Sequence, residues 1–148
     1  KKQFDKVKKY IEIGIKEGAK LLTGEVPKDY KEGYYVKPVV FTNVSNDMVI
    51  AQEEIFGPVL CVIPYDNEDE AIDIANNNIY GLAGSVFGPK EKAMEVAMKM
   101  RTGSIYVNDG EWDVNAPFGG YKQSGIGREG GVEGFEEFLE IKTIYVNK

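Results

Sequence analysis

Gln52-Glu53-Glu54-Ile55-Phe56-Gly57-Pro58-Val59-Leu60-Cys61-Val62-Ile63 is the stretch on which the fold turns. Its second half, Val59 to Ile63, is an unbroken apolar run of strand length, and such a run suits a strand buried on both faces. Pro58 has no amide proton and fits a strand's first position, while Gly57 permits a tight turn before it. Two carboxylates and Phe56 therefore stand beside the start of a core strand. A carboxylate next to an aromatic face can grip a ligand that carries hydroxyls and a flat ring. The same spacing suits a loop whose Glu53 and Glu54 are merely solvated, and the residues alone leave both readings open.

Downstream, Asn67 with Glu70 three residues on has the form of a capping box. Ala71, Ile72, Ala75 and Ile79 then make one helix face, which Asn76-Asn77-Asn78 closes. Gly84 to Phe87 is a second strand, and Pro89 opens a helix whose apolar face is Ala93, Val96, Ala97 and Met100. Gly103 ends that helix, and Ser104 to Val107 is a third strand. Strands separated by helices of this length are successive crossover units, which predicts an open α/β architecture with a parallel sheet.

Upstream, Phe4, Val7, Ile11, Ile15 and Gly18 to Ala19 follow a helical stripe, and Lys20 to Gly24 reads as a short strand. The charged segment containing Pro27 and Gly33 is an exposed connector. Tyr34 to Phe41 is extended but broken by Pro38, which predicts an edge strand at best. Asn46 and Asp47 are positioned to cap a short helix through Ile50.

The 148 residues, 43% of them hydrophobic and 28% charged, suffice for one domain with a real core. A net charge of -6 leaves no basic stripe for a nucleic-acid partner. Lys1, Lys2, Lys6, Lys8 and Lys9 interleave with Phe4, Val7 and Ile11 and read as a solvated helix face. With no histidine and one cysteine, a zinc site, a Ser-His-Asp triad and an internal disulfide are all excluded. No stretch has calcium-loop spacing, so no metal is expected. No signal peptide or bilayer-length apolar run occurs, so we expect a cytoplasmic chain without a membrane partner. It begins at Lys1 inside a helical pattern, and the expectation is a piece of something longer.

From Gly110 to Gly134 glycines interleave with Phe118, Tyr121, Ile126 and Arg128, which predicts an ordered, tightly turning loop rather than a flexible linker. Gly125 to Gly130 spells G-x-G-x-x-G, but glycines rather than a strand precede it and too few residues follow for a βαβ unit. It is not read as a dinucleotide fingerprint. Leu139 to Val146 alternates and is rich in β-branched residues, which predicts a strand projecting as an unpaired edge.

Gln52 to Pro58, Tyr35 to Val44, Pro117 to Glu129 and Phe138 to Thr143, in that order, resemble the signatures of the aldehyde dehydrogenase superfamily, and the resemblance covers nearly the whole chain. It implies that Glu54 binds the ribose hydroxyls of the nicotinamide half of NAD or NADP and that Phe56 packs near the nicotinamide. It implies that Phe118 lines the substrate tunnel and places Trp112 near it, the alternative for both aromatics being core packing. It implies that Arg128 and Glu140 take part in an ion pair at a subunit interface, the alternative being a terminal strand folded back on its own domain with Arg128 solvated.

Family chemistry uses a cysteine nucleophile that attacks the aldehyde, hydride transfer to NAD(P), and thioester hydrolysis assisted by a glutamate base. Neither residue is expected here. The aromatic-Gly-Gln-Cys motif of the nucleophile is absent, and Cys61, in an apolar strand with no neighbouring cation, is expected to be an inert core thiol. The resemblance thus implies the C-terminal part of the enzyme, with residues 1–137 from the catalytic domain and 138–148 as an oligomerisation strand. Its partners would be a small-molecule aldehyde, the missing N-terminal part and further copies of itself. The rival reading is a non-catalytic assembly module derived from that fold.

Overall fold

The structure is a computed structural model and describes residues 1–28 and 33–147. Part of the expected connector and the last residue of the expected terminal strand lie outside the described residues. The chain forms two compact units, Lys1–Ile74 and Ala75–Lys148.

In the first unit, helix α1 (Lys2–Lys16) buries Phe4, Val7, Ile11 and Gly14. The helical period carries the stripe from Ile11 to Gly14, so Ile15 falls outside it and is exposed. Glycine is what the packing requires there. A Cβ at Gly14 would lie 2.8 Å from Ile50 Cδ1 and 3.0 Å from Phe41 Cζ.

This helix covers one face of a three-stranded sheet in the order β1 (Lys20–Thr23), β2 (Val39–Thr42), β3 (Val59–Cys61). Strand β1 runs antiparallel to β2, and β3 runs parallel to it. The expected edge strand is therefore the centre of the sheet. Pro38 stops just short of the ladder, and Val39 N–H donates to the Pro58 carbonyl at 2.8 Å, so the missing donor costs nothing. Val39 and Phe41 join Val7 and Ile11 of α1 in the core cluster and are almost fully buried.

The outer position falls instead to β3, and the expectation of burial on both its faces is corrected: Leu60 is 59% exposed and Val62 43%. The apolar run signals two apolar faces, but within the first unit the described residues cover only one. The short helix α2 (Val49–Gln52) also differs from expectation, since neither Asn46 nor Asp47 caps it. Its Val49 N–H donates to the Glu17 carboxylate, at 3.0 and 3.3 Å, and Asp47 accepts the Ser45 hydroxyl instead.

Helix α3 (Glu68–Asn76) starts as predicted, with Glu70 N–H donating to Asn67 Oδ1 at 3.0 Å and the Glu70 carboxylate accepting Asp66 N–H at 2.7 Å. Of its expected apolar face only Ile72 is buried, while Ala75 and Ile79 are exposed.

The second unit contains one β-α-β unit, β4 (Ala83–Val86), α4 (Lys90–Lys99) and β5 (Ser104–Val107), whose strands pair in parallel from Ala83 with Ser104 to Val86 with Val107. Ala93 is buried, and Val96, Ala97 and Met100 are half-buried, as the helical spacing requires. The expectation that all three strands after Pro58 share one sheet is corrected, because β3 pairs with β2 while β4 and β5 form a sheet of their own. A crossover of sufficient length permits parallel pairing without choosing the partner.

After β5 the loop is ordered. Phe118 and Glu129 exchange backbone hydrogen bonds of 2.7 Å, a 3-10 turn spans Lys122–Ser124, and α5 covers Gly131–Glu136. Residues 139–147 form no ladder among the described residues. Among the described residues no helix is long and apolar enough to cross a membrane, and no group of three His, Cys, Asp or Glu could hold a metal ion.

Candidate functional site

In the first unit the site is a turn pressed against α1. Phe56 has φ +57°, a left-handed conformation that costs an L-residue about 1–2 kcal/mol. The Gln3 side-chain amide donates to the carbonyls of both Ile55 and Phe56, at 3.0 and 2.6 Å. Each such bond contributes about 0.5–1.5 kcal/mol net, so the pair offsets the backbone cost. Gly57 lies so close to α1 that a Cβ there would come within 2.5 Å of Val7 Cγ2.

These contacts give the two neighbouring glutamates different roles. Tyr10 Oη donates to the Glu53 carboxylate at 2.5 Å, tying it to the helix. Glu54 is exposed, and its carboxylate has no hydrogen-bond partner among the described residues. Ile55 is buried and anchors the turn, while Phe56 stands 78% exposed beside a hollow of about 220 Å³ that Gln3, Phe4, Val7, Tyr34 and Pro58 help to line. A carboxylate without a hydrogen-bond partner among the described residues and an exposed ring thus stand two residues apart.

Cys61, expected as an inert core thiol, is half-buried rather than a full core residue. Its Sγ donates to the Ile50 carbonyl at 3.4 Å, and burial pushes the thiol pKa up. A covalent nucleophile needs the opposite shift.

In the second unit Asn108 and Asp109 both have positive φ at the end of β5. The Asn108 side chain fixes this turn by accepting from Gly88 N–H at 2.9 Å and donating to Gly88 O at 2.8 Å. The glycine-rich loop is tied to the starts of the strands. Tyr121 N–H donates to Gly81 O at 2.8 Å, Gly81 N–H to Ser124 Oγ at 2.9 Å, and Lys122 Nζ to the carbonyls of Asn76 and Asn78. Gly103 permits the closest approach, since a Cβ there would overlap the Gly119 carbonyl oxygen.

On this frame Phe118 is 40% exposed and Trp112 64%, so neither is a core residue. Arg128 stacks over the Tyr121 ring, 5.4 Å from its centroid, and Nη1 donates to the carbonyls of Gly127 and Gly120 at 2.7 and 3.2 Å. Its backbone N–H donates to Glu137 Oε1 at 2.8 Å. Arg128 is thus held in place rather than free in solvent, and Glu140 beyond α5 is exposed with no hydrogen-bond partner among the described residues. The structure places Glu54 and Phe56 on one turn, and Phe118 pairs through an isolated bridge with Glu129, the neighbour of Arg128.

Gln3 and Tyr10 are the residues that sequence reasoning missed. The available signal was their spacing, because positions 3, 7 and 10 fall along one line of a helix.

The aldehyde dehydrogenase family profile matches residues 1–144, and the chain belongs to that family. It is 52% identical over 145 residues to a 3-succinoylsemialdehyde-pyridine dehydrogenase of a Pseudomonas species, covering 96% of this chain and 30% of the relative. A solved aldehyde dehydrogenase C of Pseudomonas syringae, a cysteine-to-alanine variant in complex with NAD+ and octanal, matches with TM-score 0.89 and 50% identity over 95% of this chain and 30% of its own. The aldehyde dehydrogenase of Mycobacterium tuberculosis in complex with NAD+ matches with TM-score 0.85 and 51% identity, over 93% and 29%. The chain therefore spans about a third of the length of the relatives it matches.

Proposed function

We propose that this chain supplies the nicotinamide-ribose contacts, part of the substrate-tunnel wall and a subunit interface of an NAD(P)-dependent aldehyde dehydrogenase that oxidises an aldehyde to a carboxylate. The observation that carries this reading is the division of labour at the turn, where Glu53 is tied to α1 while Glu54 and the Phe56 ring stay open. Glu54 accepts hydrogen bonds from the ribose hydroxyls, and Phe56 packs against the nicotinamide to orient it. NAD(P), when bound, supplies the hydride acceptor. Phe118 and Trp112 line the path of the aldehyde chain. Arg128, pre-set by Tyr121 and two carbonyls, pairs with Glu140 of a second copy.

The nucleophile and the general base come from the remainder of the enzyme, because Cys61 is chemically unsuited to the first role. The test joins this chain in frame to the preceding part of the Pseudomonas relative and measures steady-state kinetics. Glu54→Gln and Phe56→Ala are expected to raise the KM for NAD+ and leave that for aldehyde unchanged, while Phe118→Ala moves the aldehyde KM. A joined protein that assembles but turns over no aldehyde would favour the assembly-module reading.

A further inference from the structure

We infer that Gln3 is a positioning residue that holds Phe56 in its left-handed turn and so sets how Glu54 and Phe56 are presented to the cofactor. The inference rests on the cofactor reading above. Three contacts converge on the turn from one side of α1: Gln3 on two successive carbonyls, Val7 on Gly57, and Tyr10 on Glu53. Both acceptors of Gln3 are carbonyl oxygens, so its NH2 group faces them and its own oxygen faces away.

Phe56 is neither glycine nor asparagine and its ring is 78% exposed, so ring packing does not hold φ at +57°. The hold comes from the backbone. A relaxed Phe56 would adopt negative φ and swing both its ring and the preceding Glu54 to new directions, since a φ reversal at one residue redirects the chain on either side. Gln3 reaches only backbone atoms here and touches no reacting group, so it acts through the turn.

The near-isosteric variant Gln3→Glu separates these ideas, because it keeps the shape and replaces two donors by a carboxylate that repels both carbonyls. In the 148-residue chain the Phe56 Cα and Cβ chemical shifts are expected to leave left-handed values at pH 7. They should return as the new carboxyl is protonated and regains one donor, at a pH above that of a free glutamate. In the joined enzyme Gln3→Glu is expected to raise the KM for NAD+ about tenfold, with the aldehyde KM unchanged and kcat reduced less.

Unchanged Phe56 shifts in Gln3→Glu at pH 7 would overturn the inference. So would altered shifts with an unaltered KM for NAD+ while Phe56→Ala raises it. If Glu54→Gln and Phe56→Ala also leave that KM unchanged, the cofactor reading fails and takes the positioning role with it, whereas the shifts still report whether Gln3 holds the turn.

Discussion

At the scale of single residues, the turn from Glu53 to Gly57 shows what the sequence discloses and what it conceals. The pairing of a carboxylate with an aromatic beside a strand was legible at Glu54 and Phe56. What distinguishes Glu54 from Glu53 was not, because it depends on Tyr10, forty-three positions away, reaching only one of them. Gly57 makes the dependence testable. Gly57→Ala would press a Cβ onto Val7, whose branched side chain is buried and stiff within α1, and should destabilise the first unit by about 1–3 kcal/mol in urea unfolding. Cys61 yields a pH prediction. Its folded pKa is raised by burial, so the thiol contributes stability that is fully present below its unfolded pKa, about 8.5, and is lost as pH rises through the folded value. Unfolding curves should therefore show a loss of stability above about pH 8.5 that is absent in Cys61→Ala.

At the scale of elements, periodicity located α1, α3, α4 and β5 well, because each needs only local spacing. It did not decide sheet order. Whether β2 is central or peripheral is set by what lies on either side of it, and Pro38, the residue that argued for an edge, stands one position before the ladder begins. Phe41, at the centre of that sheet and fully buried, is the strongest packing test: Phe41→Ala should cost about 3–5 kcal/mol and unfold the first unit first. The terminal segment behaves in the opposite way. Ile141, Tyr145 and Val146 are more than four-fifths exposed, and residues 139–147 pair with no strand among the described residues, so truncation after Phe138 should leave the thermal transition of the dilute, monomeric chain nearly unchanged. The same truncation, and Glu140→Lys, should shift sedimentation of the chain toward monomer, since an unpaired apolar strand invites a partner strand. An unchanged distribution in both variants would remove the interface role proposed for Arg128 and Glu140.

At the scale of the whole molecule, the chain belongs to the aldehyde dehydrogenase family while spanning about a third of its relatives' length. Large apolar side chains stay exposed in both units, Leu60 on β3 and Val62 just after it, Phe87 just after β4 and Met98 on α4, a surface that fits packing against more protein. The most direct measurement of the central claim is aldehyde oxidation assayed with NAD+, NADP+ and a panel of aldehydes, on the isolated chain, on its Cys61→Ser variant, and on the chain joined to the preceding part of the Pseudomonas relative. No turnover is expected from the first two, and NAD(P)-dependent turnover from the third. Turnover by the isolated chain that survives Cys61→Ser would overturn the proposal that the nucleophile comes from the remainder of the enzyme.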